Sequence, residues 1–247
     1  MDISIFLCHN SSLMEKPLYP MRINKYLAMR GHSTRRGADE LISKNLVFIN
    51  GVVAQLGSKI NENDIVEVRR GGKIKEYVYF AYHKPQGVIT HSPQKDEKDI
   101  LQSIPLKGVF PIGRLDKDSH GLIILTNDGR ITDRLLNPDK EHQKEYLVKT
   151  RESLRASFKE FMEKGVDIEG YITKECRVKV LNERLFAITL TEGKKHQIRR
   201  MVSAMHNEVV GLERTKIMNI SLAKLSPGSY RKIEGKELEI FLKSLGL

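Results

Sequence analysis

The stretch PIGRLDKDSHGLIILTNDGR, Pro111 to Arg130, sets three acids, Asp116, Asp118 and Asp128, in a chain that is otherwise strongly basic. The apolar run Leu122–Leu125 reads as a buried strand. Asp116 therefore falls in a short loop feeding that strand, with Arg114 two residues before it. Such a loop is either an ordinary Asx turn, with Asp118 capping the next element, or the seat of a carboxylate that projects into a cleft. The second reading needs a cation to hold the acid ionised and a wall to exclude water.

Both have candidates downstream. In EGKKHQIRRMVSAMHN (192–207), Ile198, Met201, Val202 and Met205 recur at helical spacing. An amphipathic helix is expected over His196–His206, with Asn207 as its stop. Arg199 lies beside the apolar stripe near the helix start, where the dipole offers a cation nothing. It needs an acidic partner, a carboxylate or a phosphate, and pairing with Asp116 would keep a nucleophile ready. Lys194, Lys195 and Arg200 are expected to reach the phosphates of an anionic partner. The wall is Tyr146 in KEYLVKT, which reads either as a core aromatic or as a platform on which a base stacks.

The whole chain bounds these readings. Its 247 residues, 40% hydrophobic and 30% charged, suit a folded protein of one or two domains. No apolar run approaches the ~20 residues of a bilayer span, and no membrane partner is expected. Ile3–Cys8 is too short and lacks the basic flank of a secretory signal. Two cysteines, Cys8 and Cys176, form no disulfide framework and no metal-ligand spacing, which suits a reducing cytoplasm. A glycine-rich phosphate loop, a metal cluster and a Gly-x-Ser-x-Gly elbow are all missing from the sequence. The histidines are dispersed, and single ones such as His83 and His142 read as structural. Any enzyme here is expected to work without a cofactor or a metal. The net charge of +11 favours nucleic acid as the partner.

Two modules follow one another. From Met21 to Arg70 the pattern is helix, helix, hairpin. RINKYLAMR spaces Ile23, Tyr26 and Leu27 on one face, with Gly31 as a left-handed stop. Ser33 or Thr34 caps the next helix, and Asn50-Gly51 sits between two β-rich runs, as a type I′ hairpin turn requires. Between Met21 and Lys75 eleven Lys and Arg stand against five acids, more than half of the chain's excess charge. Arg35 and Arg36 fall at a helix N-terminus, where cations make sense if they share an anion with the free N–H groups. Residues 1–20 are expected to be a flexible leader and residues 71–76 a linker. From residue 77 to 247 the chain is β-rich, with strands expected at Val78–His83, Leu122–Thr126, Lys144–Thr150, Cys176–Val180 and Leu185–Thr191. Helices are expected at Asp99–Ser103, Ile131–Leu136, Leu154–Glu163 and His196–His206. The helices are too few for a βαβ repeat, so a mixed, mainly antiparallel α+β domain is expected.

Residues 22–68, within an expected domain of residues 21–70, resemble an S4 RNA-binding domain in the order of helix, basic pair, helix and Asn-Gly hairpin. With it, four later stretches resemble the motifs of a pseudouridine synthase: GRLDKDSHGLIILTNDG, KEYLV, EGKKHQIRRM and LERTKIMNISLAKLSPGSYRKI. The resemblance runs from Met21 almost to the end and is nearest to the S4-containing branch that acts on single sites in ribosomal RNA, in particular the large-subunit synthase F group. It implies a small N-terminal S4 fold, then a synthase domain that isomerises uridine to pseudouridine by flipping the base into a pocket. It also implies Asp116 as the catalytic carboxylate, Arg199 as its basic partner, Tyr146 stacking on the base, and Leu222 and Arg114 at the substrate pocket. Arg22, Lys25, Arg35 and Arg36 would meet RNA phosphates. The expected partner is large-subunit ribosomal RNA, with transfer RNA as a second candidate, and the expected state is a monomer. Two rival classes are a non-catalytic S4-type ribosome-assembly factor and an RNA glycosidase, which would release free uracil.

Overall fold

The computed structural model describes residues 2–6, 19–30, 32–70, 76–90 and 99–247. It divides into two compact units, Met1–Glu76 with Asp128–Arg130, and Tyr77–Asn127 with Ile131–Leu247.

The first unit contains strands β1 (Asp2–Phe6) and β2 (Met21–Arg22), helices α1 (Ile23–Met29) and α2 (Arg35–Ser43), and strands β3 (Val47–Ile49), β4 (Val52–Val53), β5 (Lys59–Ile60) and β6 (Val66–Arg70). Ile23, Tyr26 and Leu27 turn one face of α1 inward, against Ala38 and Ile42 of α2 and Val47, Val66 and Val68 of the sheet. Thr34 is the cap, its hydroxyl accepting from the Gly37 N–H at 2.8 Å. At the β3–β4 turn Asn50 and Gly51 both have positive φ, 51° and 79°. The Asn50 side chain also accepts from the Ile65 N–H at 2.8 Å and donates to Asp64 at 2.9 Å, tying the hairpin to the approach to β6. Within the expected leader, Asp2–Phe6 forms a strand. It pairs along its whole length with β6, from Asp2 opposite Arg70 to Phe6 opposite Val66. An antiparallel partner satisfies the backbone groups that β6 offers on the side away from β3. Residues 7–18, Gly31 and linker residues 71–75 lie outside the described residues.

The second unit is built on a sheet in the order β11-β12-β10-β13-β9-β7-β15. These strands are β7 (Tyr79–Lys84), β9 (His120–Thr126), β10 (Lys144–Thr150), β11 (Arg177–Asn182), β12 (Leu185–Leu190), β13 (Val209–Ile217) and β15 (Tyr230–Lys232). Short β8 (Phe110–Ile112) pairs with β9, and β14 (Ile220–Ser221) with β13. Every pairing is antiparallel except β9 with β13, which gives the mixed, mainly antiparallel α+β sheet read from the pattern. The helices are α3 (Arg130–Leu136), α4 (Phe158–Glu163), α5 (Gln197–Ala204) and α6 (Gly235–Ser244). Strand β9 is covered on both faces. Leu122 and Ile124 pack with residues of α3 and α6, while Ile123 and Leu125 pack with Tyr82, Ile100 and Leu115. That double burial explains its unbroken apolar run.

The expected helix at Asp99–Ser103 is a single turn. Asp99 accepts from the Gln102 N–H at 2.9 Å, but Pro105 follows too closely for a second turn to form. Helix α4 starts at Phe158 rather than Leu154, and the Leu154 N–H donates to the Glu183 carbonyl at 2.6 Å. Helix α5 buries Ile198, Met201 and Val202 as expected, and the left-handed His206, φ 56°, follows its end.

Candidate active site

Strand β8 ends at Ile112, and the chain crosses to β9 through Gly113–Ser119. Hydrogen bonds and burial fix this crossing at both ends. The Thr90 hydroxyl, itself buried, donates to the Leu115 carbonyl at 2.8 Å and accepts from the Leu115 N–H at 3.1 Å. Leu115 sinks its side chain among Tyr82, Ile100 and Ile123. One residue later Asp116 opens a turn in which its carbonyl accepts from the Ser119 N–H at 3.1 Å. At Gly121, φ 110°, a Cβ would stand 2.4 Å from the Arg214 carbonyl oxygen, so a glycine lets β9 and β13 meet directly behind the turn.

Three cations hold this turn, and they do so through its backbone. Lys84, at the end of β7, is 0% exposed, and its Nζ donates to the carbonyls of Ser119 at 2.7 Å, Pro85 at 2.9 Å and Lys117 at 3.4 Å. Burial pushes its ammonium down to about 8, against the pull of the Asp116 and Asp118 charges. Arg214, inward-facing on β13, donates through Nε to the Leu122 carbonyl at 2.7 Å and through Nη1 to the Arg114 carbonyl at 3.3 Å. Its Nη2 is buried with no hydrogen-bond partner among the described residues. Arg199, on α5, donates to the Asp118 carbonyl and the Ser119 hydroxyl, both at 3.3 Å, and to the Val209 carbonyl at 3.1 Å. Arg199 thus grips Asp118 and Ser119 and, among the described residues, makes no hydrogen bond or ion pair to the Asp116 carboxylate, its expected partner. The imidazole of His196 comes nearest to Asp116 instead, with Nε2 3.5 Å from Oδ1. His196 has a left-handed backbone, φ 53°, immediately before α5. The Asp116 carboxylate stays 41% exposed, in a cationic setting whose hydrogen bonds are spent on carbonyls.

Tyr146 is half-buried on β10, directly opposite Arg214 of β13. It packs against two apolar clusters, one of which contains Leu115. Arg114 is exposed, whereas Leu222 is a core residue packed with Ile217, Ile220 and Phe241. The third acid of the opening stretch has a different fate. Asp128 is fully buried and accepts from the Arg130 N–H at 3.0 Å and from its guanidinium at 2.8 Å.

Residues 78–204 match the RNA pseudouridylate synthase family, and residues 21–66 match the S4 domain. The chain belongs to the RNA pseudouridine synthases. It is 39% identical over 223 residues to the dual-specificity RNA pseudouridine synthase RluF of Escherichia coli (strain K12), covering 88% of this chain and 77% of that one. To the ribosomal large subunit pseudouridine synthase B of Bacillus subtilis (strain 168) it is 35% identical over 233 residues, covering 88% and 94%. A crystal structure of a pseudouridylate synthase superposes with a TM-score of 0.67 at 29% identity, covering 91% of this chain and 99% of that one. The enzyme is therefore an isomerase.

In this synthase the remaining predicted cations divide sharply. Arg22, Lys25, Arg35 and Arg36 are exposed on the S4 unit, and no ion pair ties them down among the described residues. Lys194 and Lys195 are exposed as well, with Lys194 lying 4.3 Å from the centre of the Tyr171 ring. Arg200, expected at RNA, is committed to the fold. It donates to the Ile168 carbonyl at 2.5 Å and to Glu169 at 2.8 Å, closing the turn before residue 170 onto α5. Reading the sequence missed Lys84, Arg214 and His196. The HKP at the end of β7 carried the one available signal, a lysine inside an apolar strand.

Proposed function

We propose that this synthase acts on ribosomal RNA of the large subunit, with transfer RNA as a second substrate, and that Asp116 is its catalytic carboxylate. The observation that carries the assignment is the turn itself. Lys84, Arg199 and Arg214 hold its carbonyls, so the carboxylate projects with its oxygens uncommitted by any strong hydrogen bond among the described residues. A group on a turn fixed from three sides keeps its geometry while a bound base and ribose change around it.

In the reaction the bond from uracil N1 to ribose C1′ breaks, the uracil turns within the pocket, and C5 bonds to C1′. The C5 proton leaves and N1 takes one up, so atoms and charge balance. Asp116 serves either by adding to C1′ or by taking the C2′ proton. A deuterium isotope effect at C2′ separates the two. Tyr146 stacks on the base and assists the proton transfer, Leu222 backs the pocket wall, and Arg114 helps hold the flipped nucleotide. Arg199 acts from behind by gripping the turn. Flipping a base out of a stem costs a few kcal/mol, offset by phosphate contacts from Arg22, Lys25, Arg35, Arg36, Lys194 and Lys195. The names of the relatives support the choice of RNA, since one is a large-subunit enzyme and another a dual-specificity one. We take the enzyme to be a cytoplasmic monomer.

The test is a pseudouridine map of ribosomal and transfer RNA from cells lacking the protein, complemented with the wild type or with Asp116→Asn. Loss of a large-subunit mark that only the wild type restores is the expected result. Restoration by Asp116→Asn would remove Asp116 from the chemistry. A change confined to transfer RNA would overturn the choice of ribosomal RNA.

A further inference from the structure

On one face of the sheet, beside the turn but apart from its chemistry, three neighbouring strands bring together residues that the sequence scatters at 83, 120 and 213. His120 of β9 lies directly opposite Glu213 of β13 in the one parallel pairing of the sheet. His83 of β7 pairs with Leu122 of β9, two residues from His120, and therefore points to the same face as His120. His83 Nε2 lies 3.5 Å from His120 Nδ1 and 3.7 Å from Glu213 Oε1, and His120 Nδ1 lies 3.6 Å from that same oxygen.

These separations are too long for good hydrogen bonds, which run at about 2.7–3.2 Å. They suit something else. A point equidistant from the three atoms lies roughly 2.1 Å from each, the bond length of Zn²⁺ to imidazole nitrogen and carboxylate oxygen. A tetrahedral site has edges of about 3.3 Å, so pulling the ion out of the plane toward a fourth ligand needs shifts of only a few tenths of an ångström. The protonation is already arranged. His83 Nδ1 lies 2.7 Å from the Leu225 carbonyl, which only accepts, so the proton sits on Nδ1 and the lone pair of Nε2 faces the other two donors. A backbone carbonyl fixing the tautomer from behind is how ligand histidines are held in metal sites. His83 is buried, while His120 and Glu213 are 32% and 24% exposed, leaving a solvent side for entry and for a water as fourth ligand.

We propose that His83, His120 and Glu213 form a site for a transition-metal dication of the Zn²⁺ class, which clamps β7, β9 and β13 together. Two imidazoles and one carboxylate select Zn²⁺, Co²⁺ or Ni²⁺ over Mg²⁺ and Ca²⁺. The positive charge of Lys84 near His120 opposes a cation and limits affinity, and the Glu213 carboxylate is the group that offsets it. The ion takes no part in uridine isomerisation. Its place is structural, at the junction where β9 switches from an antiparallel to a parallel neighbour. This departs from the expectation of a metal-free protein, because no spacing in the sequence joins these three positions.

The experiment titrates the chelator-treated full chain with Zn²⁺ against a chromophoric competitor, and with Co²⁺ as a spectroscopic probe. The expected result is one equivalent bound at micromolar dissociation constant or tighter, a visible Co²⁺ band of low coordination number, and a rise in Tm with Zn²⁺ that Mg²⁺ does not reproduce. His120→Ala and Glu213→Gln, both partly exposed and so tolerated by the fold, should each weaken binding at least about tenfold. His206→Asn, at an exposed site outside the triad, should bind as the wild type does. Absence of stoichiometric Zn²⁺ binding overturns the site. So does binding that survives undiminished in both His120→Ala and Glu213→Gln.

Discussion

Asp116, four residues before β9, and Asp128, two residues after it, carry the same side chain and meet cations in opposite ways. At Asp128 the cation sits on the carboxylate. Arg130 donates two guanidinium hydrogen bonds and a backbone one, and the acid is 0% exposed. At Asp116 the cations sit on the backbone beside it, and the carboxylate is left 41% exposed with an imidazole 3.5 Å away. An acid whose oxygens are filled by a fork of N–H donors is a structural part. An acid whose loop is held by cations, while its oxygens face outward, is positioned to react.

Exchanging the consequences of the two residues is the sharpest way to break this comparison. Asp116→Asn should lower turnover at least about 10³-fold, the scale of losing a covalent or proton-abstracting group. Its unfolding free energy should stay within about 0.5 kcal/mol of the wild type, as for an exposed side chain. Single-turnover kinetics and denaturant unfolding on one preparation read both. Asp128→Ala should do the reverse. Stranding Arg130 against a buried gap costs about 3 kcal/mol of stability, while turnover per folded molecule holds. A catalytic loss in Asp128→Ala equal to that of Asp116→Asn would mean that both acids belong to one unit, and the distinction would fail.

Lys84 tests the other half of the comparison, that the turn is held through its carbonyls. Lys84→Met keeps the length of the buried stem and removes the donor that serves Pro85, Lys117 and Ser119. The orphaned carbonyls cost about 1–3 kcal/mol of stability. A displacement of Asp116 by about 1 Å lowers turnover by about 10². The loss should appear in kcat, with RNA affinity close to that of the wild type. A variant that unfolds more readily but turns over normally would show that Arg199 and Arg214 suffice to place the acid.

How much of this could be read in advance follows from where the signals lie. The S4 unit was legible because its information is local. Thr34 with Gly37, and Asn50 with Gly51, fix a cap and a turn within four residues. Strand β10 was legible to the residue, and β9 through its apolar run. Strand β13, which lies between them in the sheet, was not. Its inward positions are Val209, Leu212, Arg214 and Ile217, and the arginine breaks the apolar pattern where the site needs it. The loop that carries Asp116 could be found from its acids, but its fastening could not. A lysine becomes a buried clamp only because carbonyls 33 and 35 residues later arrive around it. The cluster of His83, His120 and Glu213 was hidden for the same reason, since pairing across three strands creates it.

The cations themselves offer the smallest of the expected effects and the finest distinction. Lys84, Arg199 and Arg214 are spent on the fold, whereas Arg35 and Arg36 open α2 with their side chains in solvent. The first set holds the turn that carries Asp116, and on the proposed reading the second adds attraction for a phosphate backbone at a helix end whose N–H groups already favour an anion. Arg35→Gln with Arg36→Gln should therefore weaken RNA binding by about tenfold at low salt and reduce the slope of log K against log salt by about 2. The change should sit in KM, the mirror of Lys84→Met. Thr34 still caps the helix in this variant, so stability should move by less than about 0.5 kcal/mol. An unchanged salt slope would mean that the two arginines face water rather than RNA, and would leave phosphate binding on this unit to Arg22 and Lys25.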